Sequence, residues 1–297
     1  MGGDPLLKMT FHVVDDEGKP VEGAKAGFGG AGRPRNADTE GKGAGVDGFT
    51  DAQGIFSGEV RVWDATHSGY EVSKQGHYTA WASFSARPAV WGKWQPWNPT
   101  IEVVLKRIRN PVPMYAKRVE ASLPKLGEPV GYDLMIGDWV APHGKGKIPD
   151  MFFIGKHRKG GDRDFDWELT VTFANSSDGI QRFTPDRNTP SFRSPYEAPM
   201  DGYLSEWILK RSRRGPTERE QTTFDNKLGY LFRVRTVLDK DGKVAKALYG
   251  KIYGDFFNMT YYLNPDGTRN IEFDPKLNLL RPAVVNNNNR ATYEVGP

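Results

Sequence analysis

Hydrophobic and polar residues alternate over several short segments of the chain. In Leu7–Val13 apolar residues occupy every second position, and Thr100–Lys106 alternates in the same way. The longest run is Asp164–Phe173, where aromatic and aliphatic residues alternate with acidic residues and threonines. Tyr230–Leu238 has arginines on its polar side. Since a period of two places successive side chains on opposite faces of an extended backbone, these segments are predicted to be half-buried strands.

Further strand-like runs follow in the C-terminal two thirds of the chain. They are Ala116–Leu123, Tyr132–Val140, Met151–Lys156, Tyr203–Lys210, Ala247–Tyr253 and Asn270–Phe273. Asp239–Lys243 and Asn264–Gly267 contain Asp-Gly pairs, which predict hairpin connections. No segment has the periodicity of a long amphipathic helix. We also expect the acidic face of Asp164–Phe173 to pair with the basic face of Tyr230–Leu238.

The composition supports an all-β chain that is large enough for two domains. The 297 residues include 34 glycines and 21 prolines, and 12% of the residues are aromatic. Frequent turn formers and aromatics favour short strands over helices. The chain has no cysteine, so disulfides, a thiol nucleophile and a cysteine-bound metal are excluded.

The N-terminal third contains a series of motifs in a characteristic order. They are Asp15–Pro20, Val21–Ala26, Thr50–Phe56, Gly69–Tyr78 and Thr100–Lys106. Together they resemble the carboxypeptidase regulatory-like (transthyretin-like) family. The resemblance implies a seven-stranded Greek-key sandwich, usually found outside the cytoplasm and without catalytic activity. It implies a module that serves as a spacer, adhesion unit or accessory domain in exported bacterial proteins.

Two features depart from that family pattern. His77 stands where the family often has an aromatic residue, although Tyr78 is adjacent. A glycine-rich insertion extends from Gly27 to Gly48, and we predict a flexible hairpin loop there. Its segment Gly27–Gly32 matches G-x-G-x-x-G, but no helical pattern follows, so a dinucleotide site is not expected.

A proline-bearing connection at Asn110–Pro113 divides the sequence. We predict a regulatory-like β-sandwich at residues 5–108 and a larger β-rich domain at 114–297, built as a β-sandwich or jelly roll. No family is identified for the second domain.

Charge and hydropathy restrict the partners and the location. The net charge of +4 is small, so a dedicated nucleic-acid binder is not expected. No apolar run is long enough to span a membrane. The first residues lack a signal-peptide pattern. Either the protein is cytoplasmic or a signal peptide has been removed. Because the resemblance implies an extracellular, periplasmic or cell-envelope location, we expect the second.

Three tryptophans lie close together in a loop-like segment. Trp91, Trp94 and Trp97 fall within a stretch rich in glycine and proline. Exposed rings there would form a platform on which the apolar faces of sugars stack. Alternatively, the rings pack the loop against its own domain or fill an interface between domains, since tryptophan buries a large area.

The densest basic cluster extends from Lys210 to Arg214. Lys210, Arg211, Arg213 and Arg214 could bind phosphate, sulfate or carboxylate groups of a polyanion. The alternative is a solvated hairpin loop, because Gly215 and Pro216 follow directly.

Motifs for metals, cofactors and catalysis are weak or absent. The acidic series from Asp162 to Glu168 fails the EF-hand pattern, because the required glycine and glutamate are replaced by Trp167 and Phe173. A solvated acidic strand face is the alternative. The five histidines are scattered without paired spacing, and neither a P-loop nor a nucleophile elbow occurs. No cofactor, metal or catalytic residue is therefore assigned.

A small group of titratable residues lies in the second domain. His143 lies in a loop-like segment and could be functional, and Asp138 and Asp150, which are nearby in sequence, could serve as an acid or base. Carboxylates are numerous, so a glycosidase pair remains open.

Three functions of different classes follow from these observations. The first is a non-catalytic exported or cell-surface protein that binds a glycan or another extracellular polymer. The second is a structural or adhesion subunit that self-associates through sheet edges. The third is a polysaccharide-acting enzyme with an accessory N-terminal domain.

Overall fold

Strands dominate this protein. The computed structural model describes residues 3–36, 39–120, 122–185, 191–225, 227–254, 256 and 258–297, and for 34–36 and 39–41 it describes the backbone alone. Strands make up 55% of the chain and helix 1%, which confirms the all-β prediction. Among these residues no helix is long and apolar enough to cross a membrane.

The chain divides into two compact units. Unit 1 contains Met1–Arg109 and Asp186–Arg193, and unit 2 contains Asn110–Pro185 and Ser194–Pro297. Each unit has its own buried core.

Unit 1 consists of two packed sheets. Its strands are β1 (Leu6–Asp15), β2 (Lys25–Asn36), β3 (Thr39–Phe49), β4 (Ile55–Arg61), β5 (Asp64–Ser73), β6 (Ala80–Phe84), β7 (Arg87–Val90), β8 (Lys93–Gln95) and β9 (Thr100–Leu105). One sheet has the order β4-β1-β8-β7, with β9 also paired to β1, and the other has the order β3-β2-β5-β6.

The alternating pattern of β1 explains how the two sheets pack. Along this strand the fully buried side chains, which alternate with half-buried ones, are those of Leu7, Met9, Phe11 and Val13. Phe11 contacts Phe28 and Tyr70 of the opposite sheet, with ring centroids 5.8 and 5.2 Å apart. The predicted strand Leu7–Val13 is therefore a central strand of a sandwich.

Two expectations for unit 1 need correction. The insertion that was predicted as a flexible loop instead contributes β2 and β3, which pair with each other from Lys25 to Asn36, while residues 37 and 38 lie outside the described part. The unit also has nine strands in its described part, compared with the seven that the family resemblance implied.

A short segment distant in sequence completes unit 1. Phe192 is fully buried, and its ring lies 5.1 Å from that of Tyr78. The ammonium of Lys106 lies 5.3 Å from the same ring. The backbone amide of Ser191 donates to the carbonyl of Thr79 at 2.9 Å.

Unit 2 contains two six-stranded sheets. Its elements are β10 (Val112–Glu120), β11 (Val130–Asp133), β12 (Asp138–Trp139), β13 (Met151–Lys159), β14 (Asp164–Phe173), β15 (Gly179–Phe183), β16 (Glu206–Arg214), β17 (Gln221–Thr222), β18 (Gly229–Leu238), β19 (Val244–Tyr253), β20 (Asn258–Asn264), β21 (Phe273–Asn278) and α1 (Arg290–Tyr293). The first sheet has the order β15-β18-β19-β20-β10-β21, and the second has the order β12-β11-β13-β14-β16-β17.

The first of these sheets has buried residues on both faces. One face supplies Phe232 and Tyr261 to the main core of the unit. The other face supplies Leu231 and Tyr262 to a second cluster. Burial on both faces explains why β18 and β19 contain nearly continuous apolar runs.

Several predictions for unit 2 are wrong in detail. Residues 132–140 form two strands separated by a turn, because the carboxylate of Asp133 accepts the amides of Met135 and Ile136 and ends β11. The last strand begins at Phe273 rather than Asn270. The strands β14 and β18 lie in different sheets, so their charged faces do not pair.

Candidate functional site

The three tryptophans within residues 91–97 do not form a common platform. Trp91 is 96% exposed at the turn between β7 and β8, where its φ is 52°. Trp94 is only 7% exposed, and its indole nitrogen donates to the carbonyl of Val62 at 3.2 Å. The ammonium of Lys93 lies 4.6 Å from the ring centre of Trp97. Trp94 is therefore a core residue, which corrects its inclusion in a binding surface.

The basic cluster at the end of β16 is paired with carboxylates in the structure. On the outer face of the sheet, β14 lies between β13 and β16, so its acidic residues have basic neighbours on both sides. The pairs are Lys156–Glu168, Lys210–Glu168, Arg158–Asp164, Arg158–Asp166 and Arg214–Asp166, with N–O distances of 3.3, 3.2, 2.6, 2.5 and 2.7 Å. Hydrogen bonds from Arg214 and Arg158 lower the pKa of Asp166.

The remaining residues of the basic cluster also have local partners. Arg211 pairs with Glu220 at 2.6 Å, and Arg213 donates to the carbonyls of Gly215 and Pro216. Each basic side chain of the cluster therefore has a partner within the protein, and polyanion binding by the cluster stays a prediction. The acidic face of β14 was considered above as a calcium site or a solvated surface. In the structure its carboxylates form ion pairs with basic residues of β13 and β16 on either side.

A polar pocket in unit 2 is the best candidate for a functional site. It has a volume of about 590 Å³ and is partly open to solvent. It is lined by Lys117, Arg118, Val119, Glu120, Ser122, Tyr132, Gly137, Asp138, Trp139, Asn288, Asn289, Ala291, Thr292 and Tyr293. These residues come from β10 and the segment that follows it, from the hairpin formed by β11 and β12, and from the segment around α1.

Lys117 is the best-positioned cation of the pocket. Its ammonium donates to the carbonyl of Gly137 and lies 6.0 Å from the ring centre of Tyr293. Burial lowers the pKa of Lys117, and the nearby Asp138 carboxylate opposes that shift. A partly desolvated ammonium of this kind is a strong hydrogen-bond donor for a ligand.

Asp138 and Trp139 are held by their own surroundings. The two carboxylate oxygens of Asp138 accept the backbone amides of Trp139 and Lys145, each at 2.9 Å. The indole of Trp139 packs edge-to-face on Tyr132 and Phe153, with centroids 5.1 and 5.6 Å apart. The pocket therefore has a fixed acceptor and a fixed aromatic ring.

Tyr132 contributes a buried hydroxyl to the wall of the pocket. The residue is 2% exposed, and its hydroxyl is buried beside that of Tyr261. The neighbouring Tyr261 uses its own hydroxyl proton to donate to the carbonyl of Leu134 at 2.9 Å. Burial raises the pKa of Tyr132, so this phenol is neutral and can donate.

A buried charge network holds the loop that carries Asp138. The guanidinium of Arg235 contacts Asp150 through Nε at 2.7 Å and Asp133 through Nη2 at 3.4 Å. Asp150 also accepts the amide of Leu134 at 2.9 Å. Asp133 and Asp150 thereby fix both ends of the 133–150 segment to β18.

The two carboxyl groups of this network titrate differently. Burial raises the pKa of Asp150, and Arg235 opposes the shift only in part. Burial also acts on Asp133, but hydrogen bonds from four backbone amides outweigh it and leave the pKa of Asp133 below its ordinary value.

Arg235 reaches these partners because of its backbone conformation. Its φ is 54°, and the pairing of β18 with β19 shifts register between Val234 and Val237. A bulge of this kind re-aims a side chain, at a typical strain of about 1–3 kcal/mol for a non-glycine residue. The network offsets that strain.

The outcome for the titratable residues chosen from the sequence is mixed. Asp138 lines the pocket, Asp150 belongs to the buried network, and His143 lies exposed in the connecting loop. No sequence motif marks Lys117 or Tyr293, since they are brought together only by folding. Among the described residues no group of three or more histidine or acidic side chains is placed to hold a metal ion.

No protein-family model matches the chain, and no curated protein matches it in sequence. The family resemblance of the N-terminal third therefore stays a prediction.

Solved structures give only partial or remote likenesses. The chain is similar to 3-chlorocatechol 1,2-dioxygenase from Rhodococcus opacus 1CP, with 12% identity over 35% of this chain and 61% of that chain, at a TM-score of 0.25. It is similar to the dioxygenase domain of a dioxygenase carbohydrate-binding protein fusion from Streptomyces sp. SirexAA-E, with 16% identity over 35% and 82% of the two chains, at 0.27. It is also similar to a shaft pilin from Lactobacillus rhamnosus GG, with 12% identity over 84% and 94%, at 0.19.

The chain thus spans less than two thirds of the length of the chlorocatechol dioxygenase. TM-scores this low do not establish a shared fold. They assign neither a fold family nor an activity.

Proposed function

We propose that this chain is a non-catalytic, exported or cell-surface protein that binds a glycan in the polar pocket of unit 2. The observation that carries the proposal is the combination of ring surfaces, donors and acceptors around one partly open cavity of about 590 Å³. That volume falls within the range of about 300–1,000 Å³ that is typical of small-ligand sites.

The chemistry of the lining suits a polyhydroxylated ligand. Sugar hydroxyls both donate and accept hydrogen bonds, and the pocket offers an ammonium at Lys117, a carboxylate at Asp138 and an amide at Asn288. The rings of Tyr293 and Trp139, which line the pocket, provide apolar surface for the C–H faces of a sugar. Both oxygens of Asp138 are occupied by backbone amides, which favours a fixed acceptor over a group that transfers protons.

The proposed binding is tested by screening the full chain on a glycan array, followed by calorimetry with the best ligand. Lys117→Met removes a charged donor, and we expect the affinity to fall about tenfold or more. Tyr293→Ala removes a stacking surface and should also weaken binding. Lys240→Met changes an exposed lysine in the turn between β18 and β19, so it serves as a control that should bind like the parent.

Four results would contradict the proposal. Lys117→Met could bind its glycan as tightly as the parent chain, or no glycan could bind at all. Release of soluble sugars from a polysaccharide would instead favour the enzyme. Concentration-dependent oligomers that form without a glycan would favour the assembly subunit.

The location and the division into domains form part of the same proposal. A location outside the cytoplasm is supported by the resemblance of the N-terminal third to an exported module. We take residues 5–108 and 114–297 as separate domains, with the qualification that Phe192 belongs to the core of unit 1.

A further inference from the structure

One end of unit 1 carries an almost fully exposed tryptophan beside exposed basic residues. Leu6, at the start of β1, pairs with Arg61 of β4 and with Lys93 of β8. Its amide donates to the carbonyl of Gly92 at 2.9 Å. Trp91 precedes Gly92 at the tip of the β7–β8 hairpin, so this tip lies beside the start of β1.

A second exposed tryptophan lies at the same end. The side chain of Trp63 is 45% exposed, and its amide donates to the carbonyl of Ala31 at 2.9 Å. The guanidinium of Arg33 lies 4.6 Å from its ring centre and pairs with Asp4 at 2.9 Å. Asp4 is two residues before Leu6, which places Trp63 and Trp91 around one end of the sandwich.

We define this surface, which we call the tryptophan end, by the apolar residues Trp63, Val90 and Trp91 and the basic residues Arg33, Arg61 and Lys93. Its acidic contact is Asp4, whose carboxylate pairs with Arg33 and whose carbonyl accepts a hydrogen bond from Arg61. Among the described side chains, these three cations outnumber the carboxylates of Asp4 and of Asp64, which directly follows Trp63, so the described part of this surface is positive.

We propose that the tryptophan end docks on an anionic lipid surface. Trp91 and the half-exposed Val90 form a protruding apolar tip, and tryptophan rings favour the level of the lipid headgroups. The basic residues lie behind this tip, where they attract anionic headgroups. Interfacial binding of this kind needs no membrane-spanning segment.

A glycan fits this surface less well than a lipid interface does. Sugar stacking uses a ring that is supported on one face and open on the other. Trp91 is 96% exposed, so almost no protein surface supports its ring. A lipid interface surrounds the ring, so binding there does not require protein support on one face of the ring. This site is independent of the glycan pocket, because the pocket is formed by unit 2 alone.

The test is flotation of the full chain with two kinds of vesicle, pure phosphatidylcholine and phosphatidylcholine mixed with phosphatidylglycerol. We expect the chain to float with the mixed vesicles and to be released by molar salt. Trp91→Asn replaces the apolar side chain at the tip, and asparagine tolerates the positive φ of this position. This variant should weaken binding at least about tenfold. Lys93→Gln should weaken it about fivefold.

The control variant is Trp81→Thr. Trp81 is 66% exposed on β6, which belongs to the other sheet of unit 1, and threonine suits a strand. This variant should float like the parent chain. Brominated lipids should quench the tryptophan fluorescence that Trp91 contributes, so the quenching should be absent in Trp91→Asn.

Three outcomes would overturn the proposal. The parent chain could remain unbound to both kinds of vesicle, or Trp91→Asn could float as well as the parent. Alternatively, Trp91→Asn could lose binding to a soluble anionic polysaccharide while vesicle binding is absent, which would assign the tryptophan end to a glycan.

Discussion

Arg235→Met tests whether the buried charge network holds the pocket loop. Arg235 is the cation shared by Asp150 and Asp133, and its side chain is 27% exposed. The side chain of Asp150 is 0% exposed. Methionine keeps the length and volume of the aliphatic part, so the main change is the loss of the guanidinium. Asp150 then retains the amide of Leu134 as its remaining hydrogen-bond donor.

The expected cost follows from the burial of Asp150. Breaking a buried ion pair by removing one partner typically costs about 3–5 kcal/mol. The partial exposure of Arg235 lets water approach the carboxylates, so we expect about 3 kcal/mol. That loss corresponds to an increase of about 150-fold in the opening equilibrium of unit 2.

The measurement is hydrogen exchange of β18 and β19 in the full chain, which reports on unit 2 without assuming a single unfolding transition. The control is Arg182→Met, which changes an exposed arginine on β15 and should shift stability by no more than about 0.5 kcal/mol. In the double variant with Asp150→Asn, both charges are removed, so the coupling should exceed about 1 kcal/mol.

Acidity provides an independent check on the same variant. Without Arg235 the pKa of Asp150 should rise further, because its burial is no longer opposed. As the pH falls through that raised pKa, the carboxyl becomes neutral and the penalty shrinks, so the variant approaches the parent in stability. Asp133 in the parent behaves oppositely, since its lowered pKa gives stability that is lost on acidification. The reasoning would be refuted if the stability difference between the parent and Arg235→Met were below about 1 kcal/mol at neutral pH, or if that difference did not change with pH.

Three further predictions concern other parts of the chain. Trp94→Ala should destabilise unit 1 by about 3–5 kcal/mol in hydrogen exchange, whereas Trp91→Asn should change its stability by no more than about 0.5 kcal/mol; equal effects would contradict the burial of Trp94. Phe192→Ala should destabilise unit 1 by about 3–5 kcal/mol with unit 2 unaffected, and slower or unchanged exchange in unit 1 would contradict its place in that core. Carboxyl NMR should place the pKa of Asp166 below its ordinary 3.8 and move it towards that value in molar salt, and a salt-independent pKa would argue against the ion pairs.

The local alternation of apolar and polar residues was sufficient to predict the fold class and the clearest strands. The alternation in Leu7–Val13 and Asp164–Phe173 identified β1 and β14, because a period of two leaves one face of a strand to be buried. The Asp-Gly pair after Leu238 gave the turn between β18 and β19, where Gly242 has a φ of 76°. These features depend on residues that are neighbours in sequence.

The pairing between strands that are distant along the chain could not be predicted from the sequence. The acidic side of Asp164–Phe173 looked equally suited to any basic strand, and only the sheet order showed that β13 and β16 supply its partners. For the same reason, the basic residues from Lys210 to Arg214 looked free although folding pairs them.

The sequence by itself determined an all-β chain, the approximate place of its central strands and the absence of cysteine chemistry. Only the tertiary structure decided that Trp94 is buried while Trp91 is exposed, although both lie in the same short segment. Only the tertiary structure joined Lys117, Asp138 and Tyr293 around one pocket. The physical reason is that a strand pattern specifies which face of a segment is buried, whereas a site depends on which distant segments the sheets bring together.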